Sequence, residues 1–399
     1  MRMIVNKLWQ FKLPLILVAI IILAAALGPY MSVQLQSFLY AVSLTLKELL
    51  VFVLPFIVFS LILSSIVHLK QGAIRLILML IPLICISNFI AIWIGYFAGD
   101  VIVHKAGLSI VSEISTRSLM PLWDLSLPEW ISCKYAMLWA MGLGLLSSAY
   151  FVQKGQRVAS KLNKVTEFIL NKLVVPLLPL MILGFIVKMQ YDDILEELIH
   201  NYAYIFATVS LLLIAYVVGL YIVVNNFKTK VWVNNIKNMI PPFITGFSTL
   251  SSAATMPFTL IATHKNVKDP DIVNFVIPST VNFHLIGDCI AMPIFSMAIM
   301  LSFGYTLPSL NEYFIFSIYY TLARFSVAGI PGGGAIVIWP LLKAQFGFTS
   351  DMLALIQTLN LMFDPMITAM NVMGNGVFAI LFDKLYRKGN RNKQHGAAA

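Results

Sequence analysis

The segment Gly246-Phe-Ser-Thr-Leu-Ser-Ser-Ala-Ala-Thr-Met-Pro257 interrupts an apolar stretch at about 238–263. Lys237 precedes this stretch, and Lys265 and Lys268 follow it. Basic residues gather on the cytoplasmic side of a membrane, so an apolar segment with basic residues at both ends is expected to enter the membrane and return to the same side. The segment is therefore predicted to form a re-entrant helical hairpin.

A second apolar stretch, about 313–347, is broken in the same way at Ala328-Gly-Ile-Pro-Gly-Gly-Gly-Ala335. Each broken stretch is followed by a further apolar span, which indicates an internal repeat with inverted topology. Glycine and proline could also merely kink two ordinary helices. Two breaks at corresponding positions of the repeat favour hairpins, because irregular backbone at membrane depth is tolerated where it lines a cavity or is buried in protein.

The composition indicates a polytopic membrane protein. The chain has 399 residues, of which 59% are hydrophobic and 11% are charged, and its mean hydropathy is +0.87. A formal charge of +10 is explained by basic cytoplasmic helix ends, so nucleic-acid binding is not expected. No GxxxxGK[ST] phosphate loop is present. The three cysteines have no metal-ligand or disulfide spacing and are interpreted as core thiols.

Eight apolar spans are long enough to cross a membrane. The predicted fold is an all-α polytopic membrane protein with these eight transmembrane helices and the two hairpins. The alternation of basic and acidic flanks places both termini in the cytoplasm. The spans lie near 13–31, 41–67, 76–103, 130–152, 165–188, 198–225, 272–301 and 352–383.

The last span carries a polar face within Phe363-Asp-Pro-Met-Ile-Thr-Ala-Met-Asn-Val-Met-Gly-Asn-Gly376. Asp364, Thr368, Asn371 and Asn375 are spaced at i, i+4, i+7 and i+11, which places them on one side of a helix. An ionisable group at membrane depth is costly unless it faces a cavity or a partner. This face is therefore predicted to be a functional site.

These motifs together resemble the glutamate transporter family, the dicarboxylate/amino acid:cation symporters. The resemblance rests on Ser251-Ser252 with Thr255-Met-Pro257, on Ala328-Gly-Ile-Pro-Gly-Gly-Gly334, and on Asp364-x-x-x-Thr368-x-x-Asn371-Val-x-Gly374. It covers essentially the whole chain, because the span count and the hairpin order match as well.

The resemblance implies an elevator-type transporter that assembles as a homotrimer. Spans one, two, four and five would form a scaffold, at residues 1–75 and 129–195. The transport domain would comprise residues 76–128, with span three and its loop, and residues 196–385, with span six, hairpin 238–263, span seven, hairpin 313–347 and span eight. Residues 386–399 would be a cytoplasmic tail.

The resemblance also implies a substrate site. Asp364 would hold the substrate amine, while Asn371 and the amides around Ser251 and Ser252 would hold its α-carboxylate. Thr368 would line the pocket. The hairpin at 329–334 would act as the outer gate, with its tip residues also contacting the substrate. Those tip residues are Ile330, Pro331 and Gly332.

Three departures from the family pattern change the expected chemistry. Ile367 occupies the position of an arginine that binds acidic side chains in relatives, so a carboxylate clamp is missing. His284-Leu-Ile-Gly-Asp288 replaces the motif of span seven, with Ile286 where relatives carry a cation-binding aspartate. Asn375 replaces a second such aspartate. We therefore expect weak or no sodium dependence and a neutral or basic substrate.

Other polar residues near the site are candidates for ion coupling or charge pairing: His284, Asp288, Arg324, Asn375, Ser87 and Asn88. Asp288 could pair with Arg324, act as a proton site or attract a basic side chain, and the ion pair is favoured because each charge is costly to bury alone. Arg324 could also replace a bound cation. A neutral core role and a titrating role are both open for His284.

The predicted function is secondary active transport of a small amino-acid-like solute by alternating access, as a symporter or an exchanger. The alternatives are a conventional sodium- or proton-coupled dicarboxylate symporter and, in another class, a substrate sensor or anion-conducting pore. No catalytic residues and no cofactor are predicted, because no nucleophile–base pair is visible. Whether a metal ion binds and whether Na⁺ or H⁺ couples are left open. Besides the solute, the expected partner is the lipid bilayer. The expected location is a bacterial inner membrane.

Overall fold

The structure is a computed structural model that describes residues 19, 23–24, 27–67, 74–108, 119–128, 130–131, 133–192, 195–326 and 333–396. Within these ranges the chain is helical and contains no β-strand. The helices are α1 (Val33–Val67), α2 (Ile74–Ala106), α3 (Cys133–Tyr150), α4 (Val152–Phe168), α5 (Val175–Tyr191), α6 (Leu195–Val224), α7 (Thr229–Thr249), α8 (Ser252–Asn266), α9 (Pro270–Thr280), α10 (Ile286–Ser302), α11 (Leu310–Ala323), α12 (Gly333–Phe346) and α13 (Ser350–Gly396).

The helices pack in two groups. Helix α1 packs most extensively against α3, α5 and α4, and a π-helical turn at Ile169–Val174 joins α4 to α5. In the other group α10 packs against α2 and α13, while α7 and α8 pack against each other and against α13. Helices of the first group also contact the segment Arg324–Ser326, and Tyr40 on α1 and Lys188 on α5 contact Asp351 at the beginning of α13. The polar face predicted on the last span belongs to α13, so the candidate site lies in the second group.

Three of the described helices are long and apolar enough to cross a membrane: Met79–Ala106, Tyr202–Val224 and Ser350–Arg387. Their surroundings differ, because 83% of the best apolar window of Ser350–Arg387 is buried inside the protein, against 33% and 22% for the other two. Helices α2 and α6 therefore present apolar side chains outward, while α13 is surrounded by protein. The predicted total of eight spans goes beyond these three, and most of the first span lies outside the described residues.

The first predicted hairpin is formed by α7 and α8, which pack side by side. The hairpin is longer than the predicted 238–263, since its arms run from Thr229 to Asn266. Leu250 makes the turn with a left-handed φ of 54° and donates its N–H to the carbonyl of Gly246. This conformation is uncommon for a residue with a side chain, and here it ends α7 as a left-handed C-cap.

The second predicted hairpin is formed by α11 and α12, which also pack together. Ser309 caps α11 in a capping box with Glu312. A short 3₁₀ turn, Arg324–Ser326, ends the first arm, and Gly333 begins the second. The predicted tip residues Ile330, Pro331 and Gly332 lie outside the described residues, as do residues 327–329.

The transmembrane helix predicted at 272–301 is interrupted in the structure. The chain forms α9 up to Thr280, leaves the helical conformation at 281–285, and resumes as α10 at Ile286. The break exposes backbone groups that a continuous helix would pair internally. The side chain of Asn88 on α2 satisfies two of these groups. Its amide nitrogen donates to the carbonyl of Phe283 at 2.7 Å, and its amide oxygen accepts from the N–H of Leu285 at 3.3 Å.

Candidate functional site

The polar face predicted on the last span lies on α13. Asp364 is 8% exposed, and Thr368, Asn371 and Asn375 are more deeply buried. The hydroxyl of Thr368 donates to Oδ1 of Asp364 at 3.1 Å. Pro365 follows inside the same helix and has no N–H to donate to the preceding turn. The carboxylate of Asp364 therefore lies where the helical hydrogen-bond pattern is interrupted.

The first hairpin reaches this face by a close approach of backbones. A side-chain carbon added at Gly246 on α7 would lie 3.4 Å from Cα of Ala369 and 3.5 Å from the carbonyl oxygen of Thr368. The hairpin turn at Leu250 and Ser251 follows one helical turn later. Ser251, half-buried, and Ser252, buried, thus lie at a hairpin tip whose arm packs on the part of α13 that carries the face.

Helix α10 begins against the same part of α13. The N–H of Gly287 donates to Oδ1 of Asn371 at 2.8 Å. A side-chain carbon at Gly287 would lie 2.6 Å from the carbonyl oxygen of Ile367, so only glycine allows this contact. The side chain of Ile367 is itself buried. Sequence reasoning missed Gly287 as a site residue, because its importance depends on a neighbour 84 residues away.

Asp288, Arg324 and Asn371 form a group that we call the arginine cluster. Nη1 of Arg324 lies 3.3 Å from Oδ1 of Asp288, which is the pairing expected from the sequence. The amide of Asn371 donates to the other carboxylate oxygen, Oδ2, at 2.8 Å. Nη2 of Arg324 donates to the carbonyl of Gly334 at 3.1 Å. The cluster therefore joins both arms of the second hairpin to α10 and α13.

Tyr320 completes the surroundings of this ion pair and was not identified from the sequence. Its ring lies 4.2 Å from the guanidinium carbon of Arg324, a cation–π contact. Its hydroxyl donates to the backbone carbonyl of Asp288 at 3.1 Å. Tyr320 thus fixes the position of both charged residues through its two ends.

Ser87, His284 and Asn375 form a second group, the histidine cluster. Nε2 of His284 lies 2.8 Å from the hydroxyl of Ser87, and Nδ1 lies 3.0 Å from Oδ1 of Asn375. With the amide oxygen of Asn375 as acceptor, Nδ1 carries the hydrogen and Nε2 accepts from Ser87. The ring also packs on Phe378, with 4.4 Å between the ring centroids. The cluster joins α2, the break before α10, and α13.

The described residues thus bring together most of the predicted site. Asn371 links the face of Asp364 to the arginine cluster, and Asn375 links it to the histidine cluster. Asn88 lies beside Ser87 but uses both ends of its side-chain amide on the broken backbone. Nothing in the chemistry of the site indicates bond making, and no group of three or more His, Cys, Asp or Glu side chains within the described ranges is arranged to hold a metal ion.

Comparison with known proteins connects this geometry to a family of transporters. Residues 13–385 match the sodium:dicarboxylate symporter family, which is nearly the whole chain. A protein of Caenorhabditis elegans, named as a sodium-dependent excitatory amino acid transporter, is 29% identical over 37% of this chain and 29% of its own length.

Two bacterial relatives are similar over longer segments. The serine/threonine transporter SstT of Acinetobacter baumannii is 23% identical over 62% of this chain and 62% of its own length. The proton/glutamate-aspartate symporter of Escherichia coli is 26% identical over 49% of this chain and 42% of its own length. The chain therefore matches between 29% and 62% of the length of these three relatives.

The resemblance noted from the sequence motifs is confirmed by these matches, as is the assignment to membrane transporters and not to enzymes. The family match, the apolar helices and the buried polar face of α13 all support an integral membrane protein. The chain belongs to the sodium:dicarboxylate symporter family.

Proposed function

We propose that the chain is a secondary active transporter of a small amino-acid-like solute, carried by alternating access. The observation that carries this proposal is the buried polar face of α13: the first hairpin packs beside it at Gly246, and the second hairpin is joined to it through Arg324, Asp288 and Asn371. Two hairpins beside a buried polar face would bound a substrate site that can be opened from one side of the membrane at a time. The substrate ammonium is the cation that Asp364 would hold.

A neutral or basic amino acid is the proposed substrate class. Ile367 is apolar and buried beside the face, so it offers no partner for an acidic side chain. Arg324 is the nearby cation, but it is paired with Asp288. Among the three relatives described above, the one with the longest match is named a serine/threonine transporter, which supports a neutral solute.

Weak or no sodium dependence is part of the proposal. At the positions where the family resemblance expects cation-binding carboxylates, this chain has Ile286 and Asn375. The side chain of Asn375 is engaged by His284, whose other nitrogen is engaged by Ser87. Sodium is a hard cation that prefers several oxygen ligands, so the loss of these two carboxylates supports weak sodium dependence, with proton coupling or exchange proposed in its place.

The two packing groups support an elevator arrangement. Helices α1, α3, α4 and α5 would form the scaffold of a homotrimer, and α2 with α6 to α13 would move as the transport domain. Both termini would face the cytoplasm of a bacterial cell, because Lys7 and Lys12 precede the first predicted span and Lys384 and Arg387 follow the last predicted span, 352–383. Intersubunit crosslinking in native membranes would test the trimer, and labelling of cysteines introduced near the C-terminus would test the orientation.

The direct test is uptake by the purified full chain in proteoliposomes. Labelled serine, lysine and glutamate would be compared at fixed pH, with sodium present or replaced by choline. We expect serine or lysine to accumulate or exchange in both media. Glutamate outcompeting every neutral amino acid, or uptake that collapses in choline, would favour a conventional cation-coupled dicarboxylate symporter, which the glutamate-named relatives also suggest. Binding without net flux would instead indicate a sensor or a pore.

A further inference from the structure

Two opposite charges are buried together beside the proposed substrate face. Arg324 is fully buried, Asp288 is 6% exposed, and 3.3 Å separates Nη1 of the first from Oδ1 of the second. A buried ion of either sign is costly without its partner. Within the described residues, this pair therefore contributes no net charge to the cavity as long as both members are present.

The pair reaches the face through one side chain. Asn371 lies seven residues after Asp364, on the same side of α13, and donates to Oδ2 of Asp288 at 2.8 Å. Thr368 lies between them and bonds Asp364. The distance along α13 from Asp364 to Asn371 is about 10 Å, from a rise of 1.5 Å per residue. For an amino acid bound at Asp364, we take the side chain to extend along this face toward the arginine cluster.

The two members of the pair differ in how much of their hydrogen-bonding capacity is satisfied. Both oxygens of Asp288 have a partner, Arg324 for one and Asn371 for the other. Arg324 donates one hydrogen bond, from Nη2 to the carbonyl of Gly334. Within the described residues its buried Nε and Nη1 have no hydrogen-bond partner of good geometry, and Nη1 faces Oδ1 of Asp288 at 3.3 Å. The guanidinium therefore has unused donors that suit a second carboxylate.

We propose that the Asp288–Arg324 pair determines the charge class of the transported solute. With the pair intact, the site favours a solute with an uncharged side chain, which narrows the proposed substrate class from neutral or basic amino acids to neutral ones. Without the carboxylate of Asp288, the free guanidinium would bind an acidic side chain. Without the guanidinium of Arg324, the free carboxylate would bind a basic side chain. The inference rests on the proposed function, because it assumes that an amino-acid-like solute binds at Asp364.

The test measures binding of serine, glutamate and lysine to the purified full chain, by isothermal titration and by ligand-dependent shifts of the melting temperature. We expect Asp288→Asn to raise the ratio of glutamate to serine affinity by about tenfold or more, and Arg324→Gln to raise the ratio of lysine to serine affinity similarly. Asp383→Asn is the matched control: it breaks the ion pair with Arg387 near the end of α13 and should leave both ratios unchanged.

Two further variants keep the test decisive if a single replacement folds poorly. The double variant Asp288→Asn/Arg324→Gln removes both charges and should keep the wild-type preference for an uncharged side chain. Arg324→Lys keeps the positive charge and should keep it as well. A poorly folded Asp288→Asn protein should be stabilised more by glutamate than by serine.

The outcomes separate the two claims. If wild-type protein binds serine but the single variants show unchanged affinity ratios, the charge-class inference is overturned and the proposed function stands. The inference also fails if the double variant or Arg324→Lys prefers a charged side chain. If wild-type protein binds none of the three solutes, both the proposed function and the charge-class inference fail.

Discussion

The arginine cluster and the histidine cluster lie against the same helix, at Asn371 and Asn375, yet they bury polar groups in opposite ways. The first pairs two full charges, with the guanidinium of Arg324 against the carboxylate of Asp288. The second pairs only neutral groups, with the imidazole of His284 between a hydroxyl and an amide. The charges lie where the second hairpin meets α10 and α13, and the neutral groups lie at the helix break.

The difference indicates two separate tasks. A buried ion pair is a weak source of stability, but loss of one member leaves an uncompensated charge. A neutral hydrogen-bonded histidine can be replaced by another side chain of similar bonding capacity at low cost. We therefore infer that the arginine cluster determines the side-chain charge of the solute that binds. The histidine cluster instead stabilises the packing of α2 and α13 at the break before α10.

The largest effect is expected when the arginine cluster loses only its cation. Arg324→Met should lower the free energy of unfolding by about 3–5 kcal/mol, because Asp288 stays buried without its partner. The double variant Asp288→Asn/Arg324→Met should be considerably more stable than the single one. Thermal unfolding in detergent checks both. Equal destabilisation of the single and double variants would show that lost packing, not lost charge, is responsible.

A smaller effect is expected where α10 meets α13. Gly287→Ala should destabilise the protein by about 1–3 kcal/mol, because the new carbon would lie 2.6 Å from the carbonyl oxygen of Ile367 and the helices would have to separate. Gly219→Ala on α6 is the matched control, since nothing lies within 4 Å of its added carbon. Equal melting temperatures for the two variants would contradict the close packing at Gly287.

Replacement of His284 should destabilise the protein according to the hydrogen bonds that are lost, and not according to a change of charge. His284→Leu leaves Ser87 and Asn375 without their shared partner and should cost about 1–2 kcal/mol. His284→Gln can both donate and accept and should cost less. Unfolding of the two variants at neutral pH checks the order. A glutamine variant less stable than the leucine variant would argue that the imidazole acts through its charge.

The smallest effect lies outside both clusters, at the cap of α11. The hydrogen bonds from Ser309 lower the pKa of Glu312 below its usual value. A lowered folded-state pKa gives stability that is present above the unfolded pKa and is lost as the pH falls through the folded one. Ser309→Ala should therefore be less stable than wild type at neutral pH, and the difference should shrink in acid. A difference that grew on acidification would reverse the assigned sign.

The sequence predicted the elements whose signals are local. The hairpins follow from small residues and prolines between basic flanks, and the face of Asp364, Thr368 and Asn371 follows from helical spacing. The break at 281–285 was missed because no glycine marks it and its backbone is satisfied by Asn88, which lies 195 residues from Phe283 in sequence. The contacts of Gly287 with Asn371 and of Tyr320 with Asp288 were missed for the same reason, since these partners lie 84 and 32 residues apart in the sequence.

The residues with an anticipated role but no description in the structure are those of the second hairpin tip. Ile330, Pro331 and Gly332 lie outside the described residues, so their part in gating stays a prediction. The pairing of Asp288 with Arg324 was anticipated from the cost of burying either alone, and the two are found 3.3 Å apart. Their proposed control over solute charge required the contact with Asn371, which spacing alone did not reveal.

The central claim is that Asp364 holds the ammonium group of the solute, and binding of a matched pair of ligands tests it most directly. The affinity of purified wild-type protein for a neutral amino acid would be compared with that for the same carboxylic acid lacking the amine. Asp364→Asn would be compared with Asp383→Asn, a carboxylate on the same helix that is bound to Arg387. We expect wild type and Asp383→Asn to prefer the amino acid by about tenfold or more, and Asp364→Asn to lose that preference. An Asp364→Asn protein that binds the amino acid with unchanged affinity would contradict the claim.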